Sequence, residues 1–184
     1  MYNNISVKII MILVTTAILT VPSSVSQISY SQGDADFQNT ILNIHDQERK
    51  AVNNPALSWS DSLAADAQSW ADHITTLGLG PDDLAPHAPF DINNPQGENL
   101  AWGHKDFFTT TDGVDGWAAE KSNYDGHPLT KNDFAKGVPM IGHYTQMVWK
   151  GTTQIGCGIA SDAGQTYLVC RYSPPGNYLG QTPY

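Results

Sequence analysis

With 184 residues, 40% of them hydrophobic, the chain is long enough to bury one substantial core and too short for two ordinary domains. Its 18 carboxylates outnumber 9 Lys and Arg, and the formal charge of −9 becomes about −10 once Lys8, the only charge among the first thirty residues, is set aside. Binding to phosphate backbones needs clustered cations, and the sequence has no basic run, so the balance argues against nucleic acid and anionic membrane surfaces as partners.

Residues 1–30 read as an export leader and small-residue tract: Lys8, an uncharged apolar stretch from Ile9 to Val21, then Pro22 and a Ser-rich run. The alternative is a membrane anchor, but thirteen apolar residues fall short of the ~20 that a spanning helix needs. The expectation is a secreted monomer without a stable transmembrane anchor, its residues 31–184 forming a single domain.

Helical spacing of Phe37, Ile41, Ile44 and Val52 predicts a first helix from Asp36 to Val52, with Asp34 or Asp36 as N-cap. Asn53-Asn54-Pro55 breaks it, and Ser60 then caps a second helix whose Leu63, Ala67, Trp70 and Ile74 share one face, ending near Gly78 or Gly80. From Gly80 to Gln96 the chain is rich in Pro, Asp and Asn without either period, which predicts a long irregular loop. A shorter helix is expected from Val114 to Tyr124, with Trp117, Glu120 and Tyr124 on one stripe, ended by Gly126 and Pro128. Tyr144 to Trp149 is strand-like in composition.

Gln154 to Ala160 and Thr166 to Tyr172 then read as a hairpin around Ser161-Asp162-Ala163-Gly164, before a Pro-rich tail from Pro174. Centred between Ala163 and Gly164, this hairpin sets Cys157 opposite Cys170. These are the chain's only cysteines, and an exported protein favours a bridge between them over two buried thiols. Such a bridge would stabilise by roughly 3 kcal/mol through loop closure. Helices with an antiparallel meander give an α+β class.

Four segments carry a family resemblance. Gly142-His143-Tyr144-Thr145-Gln146-Met147-Val148-Trp149 and Tyr167-Leu168-Val169-Cys170-Arg171-Tyr172-Ser173-Pro174-Pro175-Gly176-Asn177-Tyr178 resemble the two signatures of the CAP superfamily, the cysteine-rich secretory, antigen 5 and pathogenesis-related class one proteins. Gly97-Glu98-Asn99-Leu100 and His45-Asp46-Gln47-Glu48-Arg49 resemble two further elements, with Asp46 standing where Asn is usual. The resemblance spans about residues 37–180. It implies a three-layer α-β-α sandwich with a central, mostly antiparallel sheet, and a cleft lined by two His and two Glu.

Carried over by motif, the four are His87, Glu98, Glu120 and His143. Glu98 and His143 lie in the strongest motifs, Glu120 follows from Trp-x-x-Glu at Trp117, and His87 is followed by Ala88 where Ser is common. Two imidazoles and two carboxylates suit a divalent cation, zinc first. The alternative is a pair of His–Glu contacts that only braces the fold.

The resemblance further implies an extracellular binding module for a lipid, a sterol or a cell-surface protein partner, with defence and signalling among the family's roles. A metal-dependent hydrolase using Glu98 or Glu120 is the competing reading, although no Gly-x-Ser-x-Gly elbow is present. Phe107, Phe108, Leu77, Leu79 and Ile92 are candidates to line an apolar pocket, or else ordinary packing. His73, His104 and His127 match no motif and read as surface or capping residues, and Trp59, Trp70, Trp102 and Trp149 as core anchors.

Overall fold

A computed structural model describes residues 32–184, so the leader expected over residues 1–30 lies outside the described residues. Among the described residues no helix is long and apolar enough to cross a membrane. Helix α1 (Gln32–Ala51) begins before the expected start, so Asp34 sits in its first turn instead of capping it, where a carboxylate meets the positive end of the helix dipole. Its inward stripe at i, i+4, i+8 is Ile41, His45 and Arg49, all with 0% exposure. The predicted break follows, with Asn53 at φ 60° and Pro55 two residues on.

Strand β1 (Ser58–Trp59) escaped sequence analysis because two residues carry no periodicity. Helix α2 (Asp61–Thr75) starts as expected, the Ser60 hydroxyl accepting from the Leu63 amide. Its buried stripe is Leu63, Ala67, Ala71 and Ile74; Trp70 lies half-buried beside it. No helix or strand interrupts the predicted loop before strand β2 (Gly97–His104).

Helix α3 (Thr110–Ala119) opens four residues before its predicted start, because Thr109 and Asp112 form a reciprocal capping box. It ends at Ala119, before the expected Tyr124, and closes in a 3-10 turn, Glu120–Asn123; Trp117, Glu120 and Tyr124 are all buried. A second 3-10 turn covers Lys131–Phe134.

Gly142–Met147 is helix α4, not the expected strand. Its β-branched and aromatic residues favour a strand locally, yet all six positions from Tyr144 to Trp149 are buried on every side. Distant side chains satisfy both ends. The Glu120 carboxylate accepts from the amides of His143 (2.9 Å) and Tyr144 (3.2 Å), while the Arg49 guanidinium donates to the carbonyls of Met147 (3.0 Å) and Trp149 (2.9 Å). Propensity yields to these tertiary contacts.

Strands β3 (Gln154–Ser161) and β4 (Gln165–Ser173) form the predicted hairpin. Cys157 pairs in register with Cys170 and is disulfide-bonded to it, with Cα atoms 4.1 Å apart. The sheet order is β1-β3-β4-β2, antiparallel except for the β1–β3 pair. Alternation along the strands builds two cores. Ile155, Cys157, Leu168, Cys170 and Tyr172 meet α1, α3 and α4 on one face, while Leu100, Tyr167 and Val169 meet Ala67, Ala71 and Ile74 of α2 on the other.

The α2 contact is close because β3 carries Gly156 and Gly158 there. A Cβ at Gly156 would collide with the Ala64 backbone nitrogen, and one at Gly158 with the Gln68 backbone. Of the predicted tryptophan anchors, Trp149 is fully packed, whereas Trp59, Trp70 and Trp102 are half-buried at the margins of the two cores.

Candidate functional site

The two candidate carboxylates approach the β2 edge from opposite faces of the sheet, each through its own histidine. Glu98 lies near the start of β2, an edge strand, on the face that carries Leu100 and α2. Directly across the pair of strands is Arg171, whose Nη2 stands 3.0 Å from Glu98 Oε2. Glu98 Oε1 accepts from His87 Nδ1 at 2.6 Å and from the Ala88 amide at 3.0 Å. The loop that carries His87 is held by the Trp70 indole, which donates to the Pro86 carbonyl at 3.0 Å. His87 itself is 61% exposed at its side chain, against 8% for Glu98.

On the other face, Glu120 closes α3 with only 7% exposure. Its Oε1 accepts from His143 Nδ1 at 2.6 Å, while Oε2 holds the first amides of α4. Trp117, one turn earlier, stacks on the His143 ring with centroids 6.0 Å apart. The four predicted residues therefore form two matched dyads. Because a carboxylate only accepts, Nδ1 of each imidazole carries the proton and Nε2 is the remaining ring nitrogen.

His87, Glu98 and His143 line one cleft of 280 Å³ at the β2 edge; Glu120 stands behind His143. Phe134, Val138 and Met140 form an apolar rim, exposed by 46%, 40% and 64%. Among the described residues no group of three or more His, Cys, Asp or Glu is gathered closely enough to hold a metal ion. The structure thus pairs the tetrad and does not merge it into one cluster.

Three residues that sequence analysis did not single out back the site. Asn99 Nδ2 donates to the His143 carbonyl at 3.1 Å and to the Tyr172 hydroxyl at 3.0 Å, and that hydroxyl donates onward to His45 Nε2 at 2.9 Å. His45 Nδ1 in turn donates to the Ile41 carbonyl at 2.8 Å. Burial pushes the His45 imidazole down to about 4 and raises the Tyr172 phenol well above its ordinary value, so both stay neutral. Arg171, paired with Glu98, is the third beside Asn99 and Tyr172. Each belongs to a motif segment, and the hairpin register with the alternation of β2 was the signal that could have found them.

The remaining candidates go elsewhere. Phe107, Ile92 and Leu77 are exposed, whereas Phe108 and Leu79 pack against the cores on opposite faces of the sheet. The His73 ring lies tilted against Trp70, His104 accepts from the Asp106 amide, and His127 lies between Asp125 and Asp133.

Comparison with known proteins decides the family. The sequence profile of the cysteine-rich secretory protein family, CAP, matches residues 42–172. The chain belongs to this family. Pathogenesis-related protein 1C of Nicotiana tabacum is 37% identical over 158 residues, 85% of this chain and 86% of that one. Pathogenesis-related protein 1 of Arabidopsis thaliana is 35% identical over 150 residues, 81% of this chain and 83% of its own length.

Among solved structures, the venom allergen-like protein 4 of Schistosoma mansoni shares the CAP fold with a TM-score of 0.58 and 26% identity, over 81% of this chain and 94% of that one. NaASP2, crystallised with Zn2+, shares it with a TM-score of 0.66 and 21% identity, over 81% and 85% of the two chains. The chain is therefore an α+β protein of the CAP family, with pathogenesis-related class one proteins among its relatives.

Proposed function

We propose that this CAP protein is an exported binding module whose cleft captures a ligand between two His–Glu dyads and an apolar rim, without hydrolytic chemistry of its own. The observation that carries the reading is the convergence of His87 and His143, each held through Nδ1 by a buried carboxylate, on a cleft edged by Phe134, Val138 and Met140. A lipid or sterol suits such a lining, with the apolar body on the rim and the polar group at the imidazoles. Support for export comes from the leader-like residues 1–30 and from membership of the cysteine-rich secretory protein family.

The donor chemistry suits a divalent cation held by the two imidazoles alone, not by all four side chains. His87 and His143 would hold it through Nε2, with Glu98 and Glu120 orienting the rings in the manner of carboxylate-backed metal histidines. Zinc is the first candidate. A bound cation would supply a Lewis-acidic anchor for an anionic or carbonyl group of the ligand. Neither carboxylate lies open to the cleft as a general base: Glu98 turns Oε1 to His87 and Ala88 and its buried Oε2 to the Arg171 guanidinium, and Glu120 is bonded by His143 and Tyr144.

Isothermal titration of zinc into the mature protein tests the site, run beside His87→Ala and His143→Ala. Micromolar binding lost in both variants is expected. Binding that survives either change places the metal elsewhere and removes the metal from the proposal. Uptake of a fluorescent fatty acid by wild type and Met140→Asp tests the ligand class, and uptake that is absent, or equal in the two, rules out an apolar ligand at this rim.

A further inference from the structure

A second, larger cavity of 510 Å³ lies on the other side of the His87–Glu98 dyad, between α2 and residues 87–96. Its chemistry is unlike that of the cleft. One wall is Trp70, whose indole nitrogen is already bound to Pro86, so the ring enters as an apolar surface. The floor is the cross-strand pair of Glu98 and Arg171. The rim carries the carboxylates of Asp66 and Asp91, which only accept, and the amides of Asn94 and Gln96, which both donate and accept. Gln96 donates to Asp66 at 2.7 Å, tying the loop to α2 across the cavity mouth.

The floor is incompletely bonded. The Glu98 side chain is 8% exposed and that of Arg171 14%, and although they approach to 3.0 Å, the alignment leaves Glu98 Oε2 and Arg171 Nε buried without a hydrogen-bond partner. Buried polar atoms left this way are unfavourable, and native proteins seldom keep them without a use. Three carboxylates against one guanidinium disfavour an anion. A cation would meet Arg171 on the floor and a Glu98 already paired with it. What satisfies acceptor-only carboxylates, a donor-only guanidinium and two-way amides together, beside one aromatic face, is an uncharged ring bearing several hydroxyls and an apolar C–H face.

We infer that this cavity is a subsite for a neutral oligosaccharide, with a pyranose ring stacked on Trp70 and its hydroxyls bonded to Asp66, Asn94 and Gln96. The inference does not depend on metal or lipid in the neighbouring cleft. Cellohexaose and N-acetylated chitohexaose share the required chemistry and distinguish a glucan from a chitin-type source.

Titration of each sugar into the full mature chain, followed by ligand-observed NMR, is the test, with hexalysine as the cationic comparison. Saturable millimolar or tighter binding of at least one sugar is expected, weakened about tenfold in Trp70→Ala, about 1.4 kcal/mol, and measurably in the exposed Asn94→Ala, which leaves the core intact. Absence of sugar binding, equal binding by wild type and Asn94→Ala, or binding of hexalysine alone would each overturn it. Zinc titration of Asn94→Ala separates the two sites, since Asn94 belongs to neither dyad, whereas Trp70 also holds the loop that carries His87.

Discussion

His45 and His127 respond to pH with opposite sign, and their surroundings say why. His45 is wholly buried between a carbonyl and a phenol, and burial holds its folded-state value at about 4, below the ordinary 6.5. The unfolded chain therefore binds the proton more readily. Its contribution to stability is complete above pH 6.5, falls between 6.5 and about 4, and amounts to about 3 kcal/mol. Urea unfolding midpoints should drop over that window, and His45→Gln should flatten that part of the profile. His127 instead has Asp125 at Nδ1 and Asp133 at Nε2, which only the imidazolium satisfies as a donor to both. Its pKa is raised, by Asp125 first and Asp133 second, so its bridge is present below the ordinary value and is lost as pH rises through the folded one. Because Asp133 caps the turn beside Phe134, NMR signals of Phe134 should broaden as the His127 ring titrates.

At the scale of elements, α4 and the α2–β3 contact are the places where non-local contacts decide local structure. Arg49 donates to the carbonyls of Pro55, Met147, Trp149 and Thr152 from a fully buried position. Arg49→Ala leaves all four without that donor and should destabilise by more than about 3 kcal/mol in chemical denaturation. Gly158→Ala forces α2 off the sheet and should destabilise by about 1–3 kcal/mol, whereas Ala at the open Gly116 meets nothing.

The same two cases mark how much the chain disclosed in advance. Helix α2, the hairpin and its disulfide rest on capping, alternation and turn chemistry within a few residues of each other, and these are legible. α4 is held by Glu120 and Arg49, distant in sequence, and β1 by its pairing with β3; neither leaves a periodic trace. His87, Glu98, Glu120 and His143 are legible only through motif resemblance. Their arrangement as two dyads depends on which face of β2 bears Glu98 and on the helical turn of 142–147.

For the molecule as a whole, the sheet separates two cores, each closed by its own helices, and joins them through one bridged hairpin. Reduction of Cys157–Cys170 should lower stability by about 3 kcal/mol, read as a shift in thermal midpoint after alkylation of both thiols. The dyads add something the disulfide does not. His87 and Glu98 belong to the α2 side and His143 and Glu120 to the α3–α4 side, so the cleft is a seam along which the two halves could part. A ligand spanning both imidazoles would stitch that seam, and at one hundred times its Kd it would raise unfolding stability by about 2.7 kcal/mol. Occupancy would then be felt throughout the protein, and resistance to proteolysis would track the supply of ligand.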